Sequence, residues 1–405
     1  MKVLVFLEEN KLSPRGGPYG VGYYYYYEMK KRGDKCLSFL SGDIKSELLR
    51  KNGQKITRYF PSVLNKMQRS IRQIISIRRM FKNNNSIPTI DYSQYDIIHF
   101  HTTLDLYKER KNLENYNGIV ILSSHSPIPF AQEISSEINW FVKLLIPGVQ
   151  KKYEMLDTYA FDRADNIIFP CPEAEEPYCN NWDYYNIIRE KKKNKYRYVT
   201  TGINSVNKLN SRKEIRMLEN IPTNDFVISY VGRHNYVKGY DLLKKIGEKY
   251  LAINDDSWFL ICGLESPMKG IDNLRWREIG WTTNQYSYIA ASDLFILPNR
   301  ETYFDLVMLE VLSLGKIVVA SRTGGNKYFE KMNAEGVFLY NNVDEAIEIL
   351  DRISKMSREE RNILEAKNKE FFNKYLTSSI MYDNYINTLE EILETSRRVD
   401  KDKMY

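Results

Sequence analysis

A doubly wound α/β fold in two lobes is what this chain predicts, on three observations. Eight short runs, Val3–Leu7, Ile97–Phe100, Val120–Leu122, Asn166–Phe169, Val227–Val231, Trp258–Cys262, Leu294–Leu297 and Ile317–Ala320, are apolar and mostly continuous rather than alternating. That is the pattern of parallel strands covered on both faces. Segments of helical spacing such as Tyr240–Ile253 and Leu306–Leu314 lie between them, so strand and helix alternate. A polar break at 204–225 carries no strand and ends in Pro-Thr-Asn-Asp before a new buried strand, which divides the pattern into two similar sets.

Residues 1–205 are expected to form the first lobe and 206–375 the second, with a helix at about 376–396 packing back on the first and Glu391–Asp402 trailing into a frayed charged tail. The opening MKVLVFLEENKL has one Lys before its apolar run, then Glu8 and Glu9, and no small-residue cleavage site. It reads as a buried strand rather than a signal peptide, and the expectation is a cytoplasmic protein. After this strand Gly16-Gly17-Pro18-Tyr19-Gly20-Val21-Gly22 leads into a helix, so backbone amides at Gly16 and Gly17 could face an anion. The spacing is not GxGxxG and no ribose-binding acid stands in the matching place, so no NAD site is inferred. Tyr23–Tyr27 fall in a helical register and spread around it.

Between Lys66 and Lys82, Met67, Ile71, Ile74, Ile75 and Ile77 sit at helical spacing with Arg69, Arg72, Arg79 and Lys82 along the flank. One reading is a surface helix packing its apolar stripe on the first sheet; the other is a cationic rim meeting an anionic membrane or a pyrophosphate-linked lipid acceptor. Charge is skewed the same way, with 31 basic against 22 acidic residues in 1–200 and 28 against 30 in the remainder. The partner of the first lobe is therefore expected to be anionic, although the basic residues form no nucleic-acid reading motif. No run approaches the roughly 20 apolar residues of a membrane span. The four cysteines show neither CxxC nor Cys/His ligand spacing, and read as reduced thiols.

In the second lobe, Val227–Val231 runs into Gly232-Arg233-His234-Asn235-Tyr236-Val237-Lys238-Gly239. Two cations five residues apart on a loop at the C-terminal end of a buried strand suit a diphosphate, the Arg as a planar fork of donors and the Lys as a point charge. The segment SDLFILPNRETYFDLVMLEVLSLGKIVVASRTGGN follows at 292–326, a strand ending at Pro298, a polar loop, then a helix opening at about Phe304 with Glu310 inside its apolar face. Such a carboxylate is costly without hydrogen-bond donors, which a ribose diol would supply. Amides around Asp305, Leu306 and Val307 could meet phosphate oxygens, and Gly324-Gly325 gives a further close-approach turn. All four histidines, His99, His101, His125 and His234, lie in strand-end segments; His99 reads as structural and His125 as a site residue. No DxD loop that could hold Mg or Mn follows a strand.

An N-terminal GG loop, YDIIHFH, SSHS, TTGIN, YVGRHNYVKGYDLL, ICG and ASDLFILPNRETYFDLVMLEVLSLGKIVVASRTGG, in that order, resemble the retaining GT-B glycosyltransferases of family 4. The resemblance implies two Rossmann-like lobes with an interlobe cleft, a donor nucleotide-sugar held by the C-terminal lobe, UDP-linked by default, and an acceptor on the N-terminal lobe. It implies transfer without a bound metal or other cofactor, in surface glycan or glycoconjugate synthesis, to a glycan, lipid-linked or protein acceptor. Arg233 and Lys238 would bind the pyrophosphate beside the Gly232 amide, Glu310 the ribose hydroxyls, and His125 would lie by the donor sugar. Counting back eight from Glu310 reaches Thr302, with Glu301 one place earlier, where the family carries a first glutamate; Asp305 takes a usual glycine position, and Tyr328 a frequent Glu. Either Glu301 reaches the sugar through a shifted loop or Thr302 replaces that contact. A non-catalytic GT-B partner of an active transferase is the alternative this departure permits.

Overall fold

The structure is a computed structural model describing residues 1–41, 90–137 and 148–402, together with 71, 72, 74, 75, 77, 78, 81 and 144–146. The chain divides into two compact units, Met1–Phe169 with Tyr178–Val199 and Tyr385–Tyr405, and Pro170–Pro177 with Thr200–Asn384. Residues 170–177 and 200–205, expected with the first lobe, thus cluster with the second.

The first unit holds β1 (Val3–Glu8), β2 (Leu37–Leu40), β3 (Ile97–Phe100), β4 (Ile119–Leu122), β5 (Asn166–Phe169) and β6 (Tyr196–Tyr198) in the order β2-β1-β3-β4-β5-β6. The second holds β7 (Phe226–Val231), β8 (Ser257–Cys262), β9 (Trp276–Gly280), β10 (Leu294–Leu297), β11 (Ile317–Ser321) and β12 (Val337–Tyr340) in the order β12-β11-β10-β7-β8-β9. Every strand pair in both sheets is parallel. Counted from β7, the second order is the 3-2-1-4-5-6 of the dinucleotide-binding Rossmann sheet. Its direction of winding reverses between β7 and β10, and a ligand crevice lies outside the carboxyl ends of strands at such a point. In the first unit the reversal falls between β1 and β3.

The central strands bury themselves because their side chains are apolar on both faces. In the second unit Ile228, Tyr230, Ile261, Ile296 and Val319 pack with Leu243, Ile246 and Leu350 from flanking helices, each with little or no exposure. Helix Tyr240–Ile253 contributes Tyr240, Leu243, Ile246, Gly247, Tyr250 and Leu251, a stripe with the three-and-four spacing of one helix face.

Below the sheet Asp293, 1% exposed, accepts from Arg216 Nη2 at 2.8 Å, Arg212 Nη2 at 2.8 Å and the Val227 amide at 2.9 Å. Burial raises its pKa, but the two arginines and the amide outweigh this, and the carboxyl lies below its usual range. The cluster fixes helix Arg212–Leu218 under β7 and β10. That helix fills part of the polar break, with a capping box between Ser211 and Glu214.

Two expectations need correction. The glycine-rich run is not a loop preceding the first helix: helix Gly17–Arg32 already includes Gly17 to Gly22, with Gly16 at its N-cap (φ 70°) and a proline in its first turn. The C-terminal segment does not fray after Glu391, since helix Ser378–Asp402 continues through it. Of the amphipathic segment 66–82, Ile74, Ile77 and Phe81 pack with Ala131, Ile146, Val149 and Tyr153, while Ile71, Arg72, Ile75 and Arg78 are exposed. The rest of that segment lies outside the described residues. Among the described residues no helix is long and apolar enough to cross a membrane.

Candidate functional site

At the reversal point of the second sheet the loop after β7 and the loop after β10 meet. Gly239 closes the first in a left-handed conformation (φ +63°), and a Cβ built there would stand 1.7 Å from the Pro298 carbonyl oxygen. Only glycine allows this approach. The Arg300 amide donates to Val237 O at 3.0 Å, and the Arg300 guanidinium forks onto Asp241 at 2.5 and 2.7 Å while lying over the Tyr236 ring at 3.8 Å. The Arg300 contact holds the Asp241 carboxyl below its usual range. The Gly324-Gly325 turn, expected to make a close approach, makes one to protein: Cβ atoms there would lie 2.1 Å from the Thr302 and Tyr303 carbonyl oxygens. Its glycines press a third loop against the second.

On this clamped platform the predicted residues divide. Arg233 follows Gly232 and is exposed, with no ion pair among the described residues. Lys238 is paired, its Nζ 2.7 Å from both Asp305 carboxylate oxygens. Helix Leu306–Ser313 starts after Asp305, two residues later than expected, and the Asp305 side chain makes no cap bond to it. The first amides of this helix, Leu306 and Val307 among them, thus have no side-chain cap.

Glu310 is half-buried, not within the apolar stripe, which is Met308, Leu309, Val311 and Leu312; its Oε1 accepts from Tyr286 Oη at 3.0 Å. Phe304 stacks at 5.5 Å on Phe329 and meets the edge of Tyr328, so its ring is buried among these aromatics. Thr302 is 1% exposed with its hydroxyl unpartnered, and Glu301 is half-buried. His234, in its strand-end segment, is buried and stacks at 3.8 Å on Tyr240 beneath the loop.

In the first unit the histidines form one assembly. Ser123 Oγ donates to Ile168 O at 3.0 Å, so it must accept from His99 Nε2 (3.0 Å), and His99 Nδ1 accepts from Tyr385 Oη at 2.7 Å. The His99 ring is therefore a neutral Nε2–H tautomer. It lies 4.1 Å from the His101 ring, whose Nδ1 is 2.8 Å from His125 Nε2. His125 has φ 52°, the left-handed region that non-glycine residues seldom enter, three residues past β4. Burial lowers the pKa of all three, His125 to about 4, with neighbouring histidines lowering His99 and His101 further. Tyr385, which the sequence reading passed over, also stacks on Tyr25 at 4.1 Å.

These rings are expected to stay neutral: imidazole nitrogen resonances of His99, His101 and His125 should show no titration from pH 8 to 5. A ring protonating near 6.5 would contradict the assembly. Because the folded pKa values lie below the unfolded value, about 6.5, the stability these rings contribute is present above that pH and falls as pH drops toward 4. Asp157, whose burial raises its pKa to about 7, contributes the opposite slope over the same window. The ring resonances therefore carry the test.

Residues 211–371, which include both clamped loops, match the family model described as Glycosyl transferases group 1. No curated protein sequence matches the chain. Among solved structures, sucrose-phosphate synthase from Thermosynechococcus elongatus is similar with a TM-score of 0.65 at 14% identity, over 98% of this chain and 100% of that one. Anabaena HepE in complex with UDP gives 0.61 at 13%, over 96% and 100%, and its complex with UDP-glucose 0.59 at 14%, over 96% and 100%. A glycosyltransferase from Rickettsia africae gives 0.59 at 15%, over 97% and 98%. At such identities the likeness is one of fold: GT-B, two Rossmann-like doubly wound lobes.

Proposed function

We propose that the protein is a glycosyltransferase that moves a sugar from a nucleoside-diphosphate sugar to an acceptor hydroxyl with retention of anomeric configuration. The observation that carries this is the presence of Arg233, Lys238 and the start of helix Leu306–Ser313 together at the β7/β10 reversal point, inside the matched segment. Breaking the sugar–phosphate bond builds negative charge on the departing diphosphate and positive charge on the anomeric carbon. Arg233, Lys238 and the amides of Gly232, Leu306 and Val307 stabilise the former. Glu310 and Tyr286 face the ribose diol, and UDP is the first nucleotide to try because HepE was solved with it. The enclosed Thr302 hydroxyl favours Glu301 as the carboxylate near the sugar. His125 is a neutral hydrogen-bonding group of the first unit, and the acceptor is assigned to that unit.

The test is release of UDP from UDP-sugars with and without candidate acceptors. Nucleotide binding without turnover would instead favour a non-catalytic partner of an active transferase. With two cations placed for the leaving group, activity is expected to survive EDTA; loss on chelation restored by Mg or Mn would refute metal independence. Exposed Ile71, Arg72, Ile75 and Arg78 support peripheral contact with an anionic membrane, read by salt-sensitive cosedimentation with phosphatidylglycerol vesicles.

A further inference from the structure

We infer that the Asp305 carboxylate competes with the donor's diphosphate for Lys238, setting the site's nucleotide affinity. The inference rests on the donor-site reading of the two clamped loops. Lys238 Nζ is 2.7 Å from both Asp305 oxygens, and the two side chains are only 21% and 18% exposed, so the pair is shielded more than a surface ion pair. Asn299, itself 1% exposed, donates its amide to Asp305 Oδ2 and holds the carboxylate in place. Asp305 stands at the N-cap position of helix Leu306–Ser313, where an aspartate normally accepts from the helix amides, yet makes no such bond. Its charge is turned onto the lysine.

The two cations are therefore not equivalent. Arg233 is exposed and available to an anion, whereas Lys238 already has one. A diphosphate reaching Lys238 must separate the pair and sit beside an uncompensated carboxylate; when the nucleoside diphosphate departs, the pair re-forms. Asp305 thus weakens product binding and favours release, at the cost of weaker donor binding. No other acidic residue lies in the first turn of that helix.

The experiment is calorimetric titration of UDP into wild type, Asp305→Asn, Lys238→Met and the double variant. Asp305→Asn is expected to bind UDP about tenfold more tightly than wild type, and the gain should be smaller in the Lys238→Met background, where only repulsion between carboxylate and diphosphate is left to relieve. Unchanged or weaker binding by Asp305→Asn overturns the inference. An equal gain with and without Lys238 overturns it too, because Asp305 would then act by repulsion alone. No binding of UDP, GDP or ADP by wild type and Asp305→Asn alike contradicts the donor-site reading, and the inference falls with it.

Discussion

Alanine at Arg233 or at Lys238 is expected to cut sugar transfer by about 10²–10³, the usual loss, roughly 2.7–4 kcal/mol, when a donor aimed at developing charge is removed. The Arg233 side chain is exposed and makes no ion pair among the described residues, so its variant should keep the wild-type circular dichroism and unfolding midpoint. Lys238→Ala should be the worse of the two, because it leaves the Asp305 carboxylate without its partner beside the diphosphate. The measurement is kcat/KM for donor, with the nucleotide dissociation constant alongside. Wild-type turnover in either variant would contradict the assignment.

Gly239→Ala should be as damaging by another route. The new methyl would overlap the Pro298 carbonyl oxygen, and φ +63° is strained for any residue with a Cβ. Overpacking of this kind costs roughly 1–3 kcal/mol, and the left-handed backbone about 1–2 kcal/mol more. Relief comes only by parting the loop that carries Lys238 from the loop that carries Asp305. Urea unfolding should show the loss of stability, and nucleotide binding should weaken with it. A variant with wild-type midpoint and affinity would show that the two loops need not touch.

How much of this was legible in the sequence follows from what each element depends on. The eight strands read from the sequence are the interior ones, apolar because both faces and both edges are covered. The four missed, β2, β6, β9 and β12, are the sheet edges. Tyr196-Arg197-Tyr198 and Trp276-Arg277-Glu278-Ile279-Gly280 mix polar and apolar residues because they are partly exposed, which erases the apolar run, whereas β12, Val337-Phe338-Leu339-Tyr340, is a short apolar run that passed unread. Helix Arg212–Leu218 did carry a sequence signal, Ser211 three residues before Glu214, hidden in an otherwise polar stretch.

For the site, order along the chain was enough to bring Arg233, Lys238 and the start of helix Leu306–Ser313 together, since strands at a reversal point present their following loops to one crevice. Pairings between distant residues were not legible. That Lys238 is held by Asp305, that Tyr286 donates to Glu310, and that Tyr385 fixes the His99 tautomer depend on register and side-chain direction, which no spacing rule encodes. The same holds for Gly324-Gly325, whose purpose is contact with the Thr302–Tyr303 backbone.

The central claim is that the β7/β10 reversal point is a nucleoside-diphosphate site, and its most direct test is thermal unfolding of wild type and Arg233→Ala with UDP, GDP and ADP. One of the three, present at 100 times its dissociation constant, should stabilise the wild type by about 2.7 kcal/mol, and the same concentration should leave Arg233→Ala nearly unshifted. Stabilisation by none of them, or an equal shift in the variant, would contradict the account.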